Sequence, residues 1–136
     1  MRRKLILGIL FLTWTILLVT LSVLPDTDTT PQQDLSDFRW DYLEHFTFYF
    51  ILTLLYVFWR RDTNYSIRIT ELILFFVAGI LFSWLTEYVQ IFIPGRTFNI
   101  LDMLYNMAGI FFGILICYYL IIRLLIRSYV RSKSPS

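Results

Sequence analysis

Residues Leu5 to Leu24 read LILGILFLTWTILLVTLSVL, twenty positions in a row without a charge, with Arg2, Arg3 and Lys4 before them and Pro25 and Asp26 after. A helix of that length rises about 30 Å, the hydrocarbon thickness of a bilayer. The stretch therefore predicts a membrane span. A cleaved secretory leader has a shorter apolar core of about 7–15 residues ending on small residues, and Ser22-Val23-Leu24-Pro25 does not fit that pattern. The expectation is an uncleaved anchor.

Three more apolar runs follow: Tyr42 to Trp59, Leu72 to Ile93 and Met103 to Ile122. Each approaches the roughly 20 residues that a span requires. Between Leu24 and the run starting at Tyr42 lies a polar stretch from Pro25 to Asp41, rich in Asp, Thr, Gln and Pro, which belongs outside the bilayer. Pro94-Gly95 ends the third run. The chain has 136 residues, 57% of them hydrophobic, 19% aromatic and 16% charged, where a soluble domain has about 25% charged. Four spans with short links fill it, so the expected fold is an all-α bundle of four transmembrane helices forming one domain over residues 1–136. The predicted spans are 5–24, 42–59, 72–93 and 103–122, and 123–136 form a basic tail.

The charges orient that bundle. Ten of the twelve Lys and Arg residues lie in the N-terminus (Arg2, Arg3, Lys4), the middle loop (Arg60, Arg61, Arg68) and the tail (Arg123, Arg127, Arg131, Lys133), leaving Arg39 and Arg96 on the other side. The positive-inside rule then places both termini in the cytoplasm. The net charge of +2 is a topology signal and implies no nucleic-acid partner. One cysteine, Cys117, excludes an internal disulfide, and one histidine, His45, excludes a metal site built on several imidazoles. No metal and no cofactor is expected. The aromatic excess, including Trp14, Trp40, Trp59 and Trp84, is expected on lipid-facing surface and at the interfaces.

The unusual polar residues all fall toward the predicted outer side. Glu44 and His45 open the second span, Glu87 and Gln90 sit near the far end of the third, Arg96 lies in the outer loop, and Asp102 and Asn106 begin the fourth. Counted from Ile93, Gln90 lies about 4.5 Å and Glu87 about 9 Å inside the third helix. Asp102, Asn106, Gly109 and Gly113 recur at i, i+4, i+7 and i+11, a stripe that is polar at one end and small at the other. Gly79, Ser83, Glu87 and Gln90 repeat that layout on the third helix. The small residues Gly79, Ser83, Gly109 and Gly113 are the expected helix-packing positions, since G-x-x-x-G permits close approach in a membrane. An ionised Glu87 at such a depth needs a partner, for which Arg96 or His45 is available. The plainer reading makes these polar groups interhelical hydrogen-bonding glue; the sharper one makes them a cleft.

In their order and spacing, Asp41-Tyr-Leu-Glu-His45, Glu87-Tyr-Val-Gln90, Pro94-Gly95-Arg96 and Asp102-Met-Leu-Tyr-Asn106-Met-Ala-Gly109 resemble the VanZ-like family of small bacterial membrane proteins. The resemblance covers about residues 37 to 117. Tyr42 stands where the family usually has lysine, and Asn99 where many members have aspartate. The family's named representative is linked with reduced susceptibility to the glycopeptide teicoplanin, so the resemblance implies a multi-pass protein of the bacterial cytoplasmic membrane with a role in the cell envelope.

The leading functional expectation is an outward-facing cleft that binds a polar or lipid-linked headgroup, formed by His45, Glu87, Gln90, Arg96, Asp102 and Asn106. Membrane lipids or a lipid-linked cell-wall precursor are the partners it suggests. A second reading is an integral-membrane enzyme in which Glu87 and His45 form an acid–base pair. A third is a small transporter that would have to form a homodimer to complete a path.

Overall fold

The computed structural model describes residues 2–25, 40–61 and 67–133, and for residues 124, 125 and 127–133 the backbone alone. Four helices follow one another: α1 (Arg2–Ser22), α2 (Trp40–Arg60), α3 (Ile69–Gln90) and α4 (Ile100–Lys133). Each contains a stretch long and apolar enough to cross a membrane. Among the described residues there is no strand. The Pro25 to Asp41 loop, with Arg39, lies outside the described residues except at its ends, as do Asp62 and the side chains of Arg127, Arg131 and Lys133.

Contacts between the helices fix their directions. Trp14 of α1 donates its indole N–H to the Phe48 carbonyl of α2 (3.0 Å), and Phe11 stacks on Trp59, so α1 and α2 run antiparallel. Tyr49 meets Thr86 and Tyr56 stacks on Phe75, which makes α3 antiparallel to α2 as well. Tyr42 stacks on Tyr105 at one level while Thr53 meets Gly113 at another, so α2 and α4 are parallel. One end of the bundle thus collects Leu24, Trp40, Gln90 and Ile100, and the other collects Arg2, Arg60, Ile69 and Arg123.

The tightest seam is α2 against α4. A Cβ built on Gly109 would collide with the Phe46 carbonyl oxygen and stand 3.0 Å from the Phe50 backbone nitrogen, and one on Gly113 would stand 2.8 Å from Thr53 Cβ. The absence of side chains there lets two backbones touch. Gly79 of α3 instead receives the tip of Ile110 from α4. The glycine stripe of α4 therefore faces α2, and α3 docks on the flank of α4. Tyr49, Leu52, Leu18 and Ile110 form the core between these seams, and Val57, Leu72 and Cys117 form a second cluster toward the basic end.

Most large apolar side chains face outward, among them Leu5, Ile16, Leu74, Leu81 and Phe92. That inversion is expected where the surroundings are hydrocarbon. Trp40 and Trp84 share that exposed surface, but Trp14 and Trp59 pack into the α1–α2 seam, because each indole offers large area to a neighbouring ring.

Two boundaries differ from the sequence expectation. Helix α3 ends at Gln90 and not at Ile93, passing through tight turns in which Ile91, Phe92 and Ile93 donate to carbonyls three residues back. Pro94 forces this, since it disfavours helical geometry in the residue before it; Gly95 then takes φ 78°, a left-handed conformation that glycine adopts without strain. Glu87 consequently lies only about 4.5 Å from the end of its helix, nearer the interface than the count from Ile93 gave. At the other end, α4 continues through Arg123 to Lys133, so the basic tail is a helical extension.

Candidate functional site

The site begins where α4 starts. Asn99 precedes the helix, and its Oδ1 accepts the Leu101 backbone N–H at 3.0 Å, the bond expected of a residue capping a helix N-terminus. Its Nδ2 donates to Asp102 Oδ1, also at 3.0 Å. The cap thereby holds Asp102 by one oxygen, and the other, Oδ2, lies 3.6 Å from His45 Nε2. One turn further along α4, Asn106 Oδ1 accepts the Nδ1–H of His45 at 3.1 Å. The acceptor fixes the tautomer: with the proton on Nδ1, a neutral imidazole leaves a lone pair on Nε2.

Glu87 enters the same cluster from α3. Its side chain is 1% exposed, and Oε1 stands 3.8 Å from His45 Nδ1. Neither carboxylate oxygen has a hydrogen-bond partner of good geometry among the described residues, and Asn106 Nδ2 is likewise buried without one. His45, Glu87 and Asp102 each offer a ligand atom within 4.8 Å of the others. Three helices thus converge one oxygen or nitrogen apiece on a small space.

A cleft of about 940 Å³ opens beside this cluster, walled by Trp14, Leu18 and Leu21 of α1 and lined further by His45, Gln90 and Arg96. Arg96 spans it at the rim, where its Nε–H donates to the Leu24 carbonyl at 3.3 Å. Arg96 therefore ties the loop after α3 to the end of α1, and it is His45 that stands beside Glu87. Of the six residues expected to bind a ligand, His45, Glu87, Asp102 and Asn106 come together, while Gln90 and Arg96 line the cleft. His45, 20% exposed, belongs to both.

The convergence of these blocks has a counterpart in known sequences. A model of the VanZ/LLP1 family matches residues 6–124. The chain belongs to the VanZ/LLP1 family. No curated protein and no solved structure matches the chain. The family match includes α1, so this VanZ/LLP1 protein resembles its relatives over more of its length than the motif blocks between residues 37 and 117. Family and helices together make it a multi-pass membrane protein.

Three residues of the VanZ/LLP1 site, Asn99, Tyr49 and Thr86, have roles that the sequence reading did not assign. Asn99 both caps α4 and holds Asp102; the signal was the N-x-x-D spacing before an apolar run, a capping pattern. Tyr49, buried beneath His45 on α2, meets Thr86 Oγ1 at 3.0 Å, and Thr86 in turn donates to the Ser83 carbonyl. That chain braces α2 against α3 just below Glu87. Nothing in the spacing of Thr86 marked it, since a threonine in a span ordinarily bonds its own helix. Ser83, expected at a helix contact, is fully buried between these elements.

Proposed function

We propose that this VanZ/LLP1 protein binds the polar headgroup of an envelope lipid, or of a lipid-linked cell-wall precursor, in the cleft between α1 and the ends of α2 and α3. The observation that carries the proposal is the double membership of His45, which lines the cleft and also touches the buried carboxylates behind it. A lipid has the same two parts. Its chains would lie along Trp14, Leu18 and Leu21, and its headgroup would meet His45 and Gln90, with Arg96 supplying a charged contact to a phosphate. A volume of about 940 Å³ falls in the ordinary range for small-molecule sites. The distribution of Lys and Arg supports an orientation with both termini in the cytoplasm and the cleft facing outward, in the bacterial cytoplasmic membrane. A protein holding a cell-wall precursor there would alter how glycopeptides such as teicoplanin act on it.

The approach of His45 Nδ1 to Glu87 Oε1 (3.8 Å) favours a second reading, in which the pair moves a proton on the bound headgroup. No side chain of the cluster is an evident nucleophile, since Cys117 lies about four turns further along α4 than Asp102, in an apolar setting. Binding is therefore the reading we adopt.

A photo-cross-linking amino acid at Leu21, inside the cleft, tests it against one at Leu74 on the outer surface. The proposal expects one headgroup class to be captured at position 21 and a mixture matching the bulk membrane at position 74. The same mixture at both positions would remove the cleft's claim to specificity.

A further inference from the structure

The basic end of the bundle carries a recess of its own. It is a groove of about 260 Å³ between the start of α3 and residues 114–122 of α4, with Val57 of α2 behind it. Val57, Leu72 and Cys117 are buried at its floor, and Ile69 and Tyr118 stand exposed at its edges. Every lining side chain is apolar apart from the cysteine thiol and the tyrosine hydroxyl. The groove lies where α3 and α4 are not yet in close contact: Ile110 fills the notch at Gly79 further along, and at this end α2 reaches α3 through long side chains, Tyr56 on Phe75 and Arg60 on Glu71. An empty groove forfeits the dispersion contacts of its walls. In a bilayer an acyl chain is the filler at hand.

The mouth of the groove is cationic. Arg68 lies between the lining residues Ile67 and Ile69, Arg123 follows the lining residue Ile122, and the charge of Arg61 acts on Cys117 at the floor. Arg68 and Arg123 are exposed. The Arg61 and Arg123 guanidinium groups lie over the rings of Phe58 and Tyr119, at 4.6 and 5.2 Å from their centroids, so that the apolar stems stay on protein while the charges face the interface. Among the described residues Glu71 is the one acid at this end, and Arg60 holds it at 3.2 Å. Cations around the open end of an apolar groove match an occupant with an apolar chain and an anionic head.

We propose that this groove binds an anionic phospholipid of the leaflet at the basic end, with one acyl chain lying on Leu72 and Cys117 and the phosphate among Arg61, Arg68 and Arg123. Basic pockets between spans are sites at which anionic headgroups bind, and the guanidinium fork fits phosphate oxygens. The groove is too small for a helix, which is about 10–12 Å across. A second copy of this chain would also bring its own basic end against the same cations. The site is separate from the headgroup cleft at the other end of the bundle, and neither depends on the other.

The test uses the full chain in vesicles of equal parts phosphatidylglycerol and phosphatidylethanolamine with matched chains, carrying a photo-cross-linking amino acid at one of three exposed positions. Tyr118 edges the groove, Leu5 adjoins Arg2, Arg3 and Lys4 at the same end but outside it, and Leu81 faces outward on α3. At position 118 phosphatidylglycerol should be captured over phosphatidylethanolamine by about fivefold or more, the effect of roughly one cation near the surface. Position 81 should report the mixture itself, and position 5 a value between the two. Combining Arg61→Gln, Arg68→Gln and Arg123→Gln should return position 118 to the mixture's ratio, and Arg68→Gln alone should lower the enrichment by at least half in a protein whose thermal unfolding is unchanged. Equal capture of the two lipids at position 118 would overturn the proposal. So would an enrichment at position 5 as large as that at position 118, which any basic surface would give, or one at position 118 that is indifferent to the arginine substitutions.

Discussion

His45 Nδ1–H donates to Asn106 Oδ1 across 3.1 Å, joining α2 to α4 directly above the glycine seam in which Gly109 touches Phe46. The side-chain bond sits one helical turn from the backbone contact, so each holds the other in register. Interhelical hydrogen bonds in membranes are modest, about 0.6 kcal/mol on average and up to about 1.7. A double-mutant cycle of His45→Ala with Asn106→Ala, read by unfolding in detergent, should give a coupling energy near the upper part of that range, because both partners are held by helices already in contact. A coupling indistinguishable from zero would show that the bond does not organise the site.

Asn99 has two roles that substitution separates. Asn99→Ala removes the cap on Leu101 and the donor to Asp102, and should lower stability by about 1 kcal/mol. Asn99→Ser retains a capping oxygen and should recover most of the stability. Thermal unfolding of the two variants checks the order.

The glycines of the seams are not equivalent. An alanine at position 109 meets backbone atoms of α2, which cannot yield without moving the helix, whereas one at position 79 meets the end of the flexible Ile110 side chain, 2.6 Å from Cδ1. Overpacking typically costs about 1–3 kcal/mol. Gly109→Ala should reach the upper end of that range and Gly79→Ala the lower, with denaturation in detergent as the measure. The reverse order would contradict the packing described.

Cysteine chemistry reports both burial and orientation. Cys117 is 3% exposed and should resist maleimide in the folded protein and react once it is denatured. In a Cys117→Ala background, Arg96→Cys should react with a membrane-impermeant maleimide on intact cells and Arg60→Cys only after permeabilisation. Labelling in the opposite pattern would invert the proposed orientation.

The Arg60–Glu71 pair links α2 to α3 at the basic end, with Arg60 Nη2 3.2 Å from Glu71 Oε2 and the two side chains 44% and 29% exposed. Exposed pairs contribute roughly 0–1 kcal/mol. Glu71→Ala should accordingly shift the unfolding midpoint little, and less so as salt is raised, in contrast to Gly109→Ala.

The existence of four helices was legible because a bilayer imposes a length and a polarity that no other environment does, and the runs at 5–24, 42–59, 72–93 and 103–122 meet both. The meeting of His45, Glu87, Asp102 and Asn106 was half legible: position along each helix set a common depth, but which helices touch depends on packing that spacing alone does not encode. Glycines on α4 indicated a close partner without indicating α2. Asn99 was noted only as a departure from the family pattern; its capping role reads as a local device, and its second bond, to Asp102, becomes visible only when the turn is folded. The shorter α3 follows from Pro94 acting on the residues before it, an effect that an apolar run conceals by continuing unbroken to Ile93.

The central claim is that the cleft holds a headgroup, and native mass spectrometry of the gently purified full chain tests it most directly. The account predicts one lipid or lipid-linked species retained per chain, lost in Arg96→Ala and strongly reduced in His45→Gln, while Glu71→Ala keeps it. A protein that carries no discrete species, or whose bound lipid is indifferent to Arg96 and His45, would contradict the account.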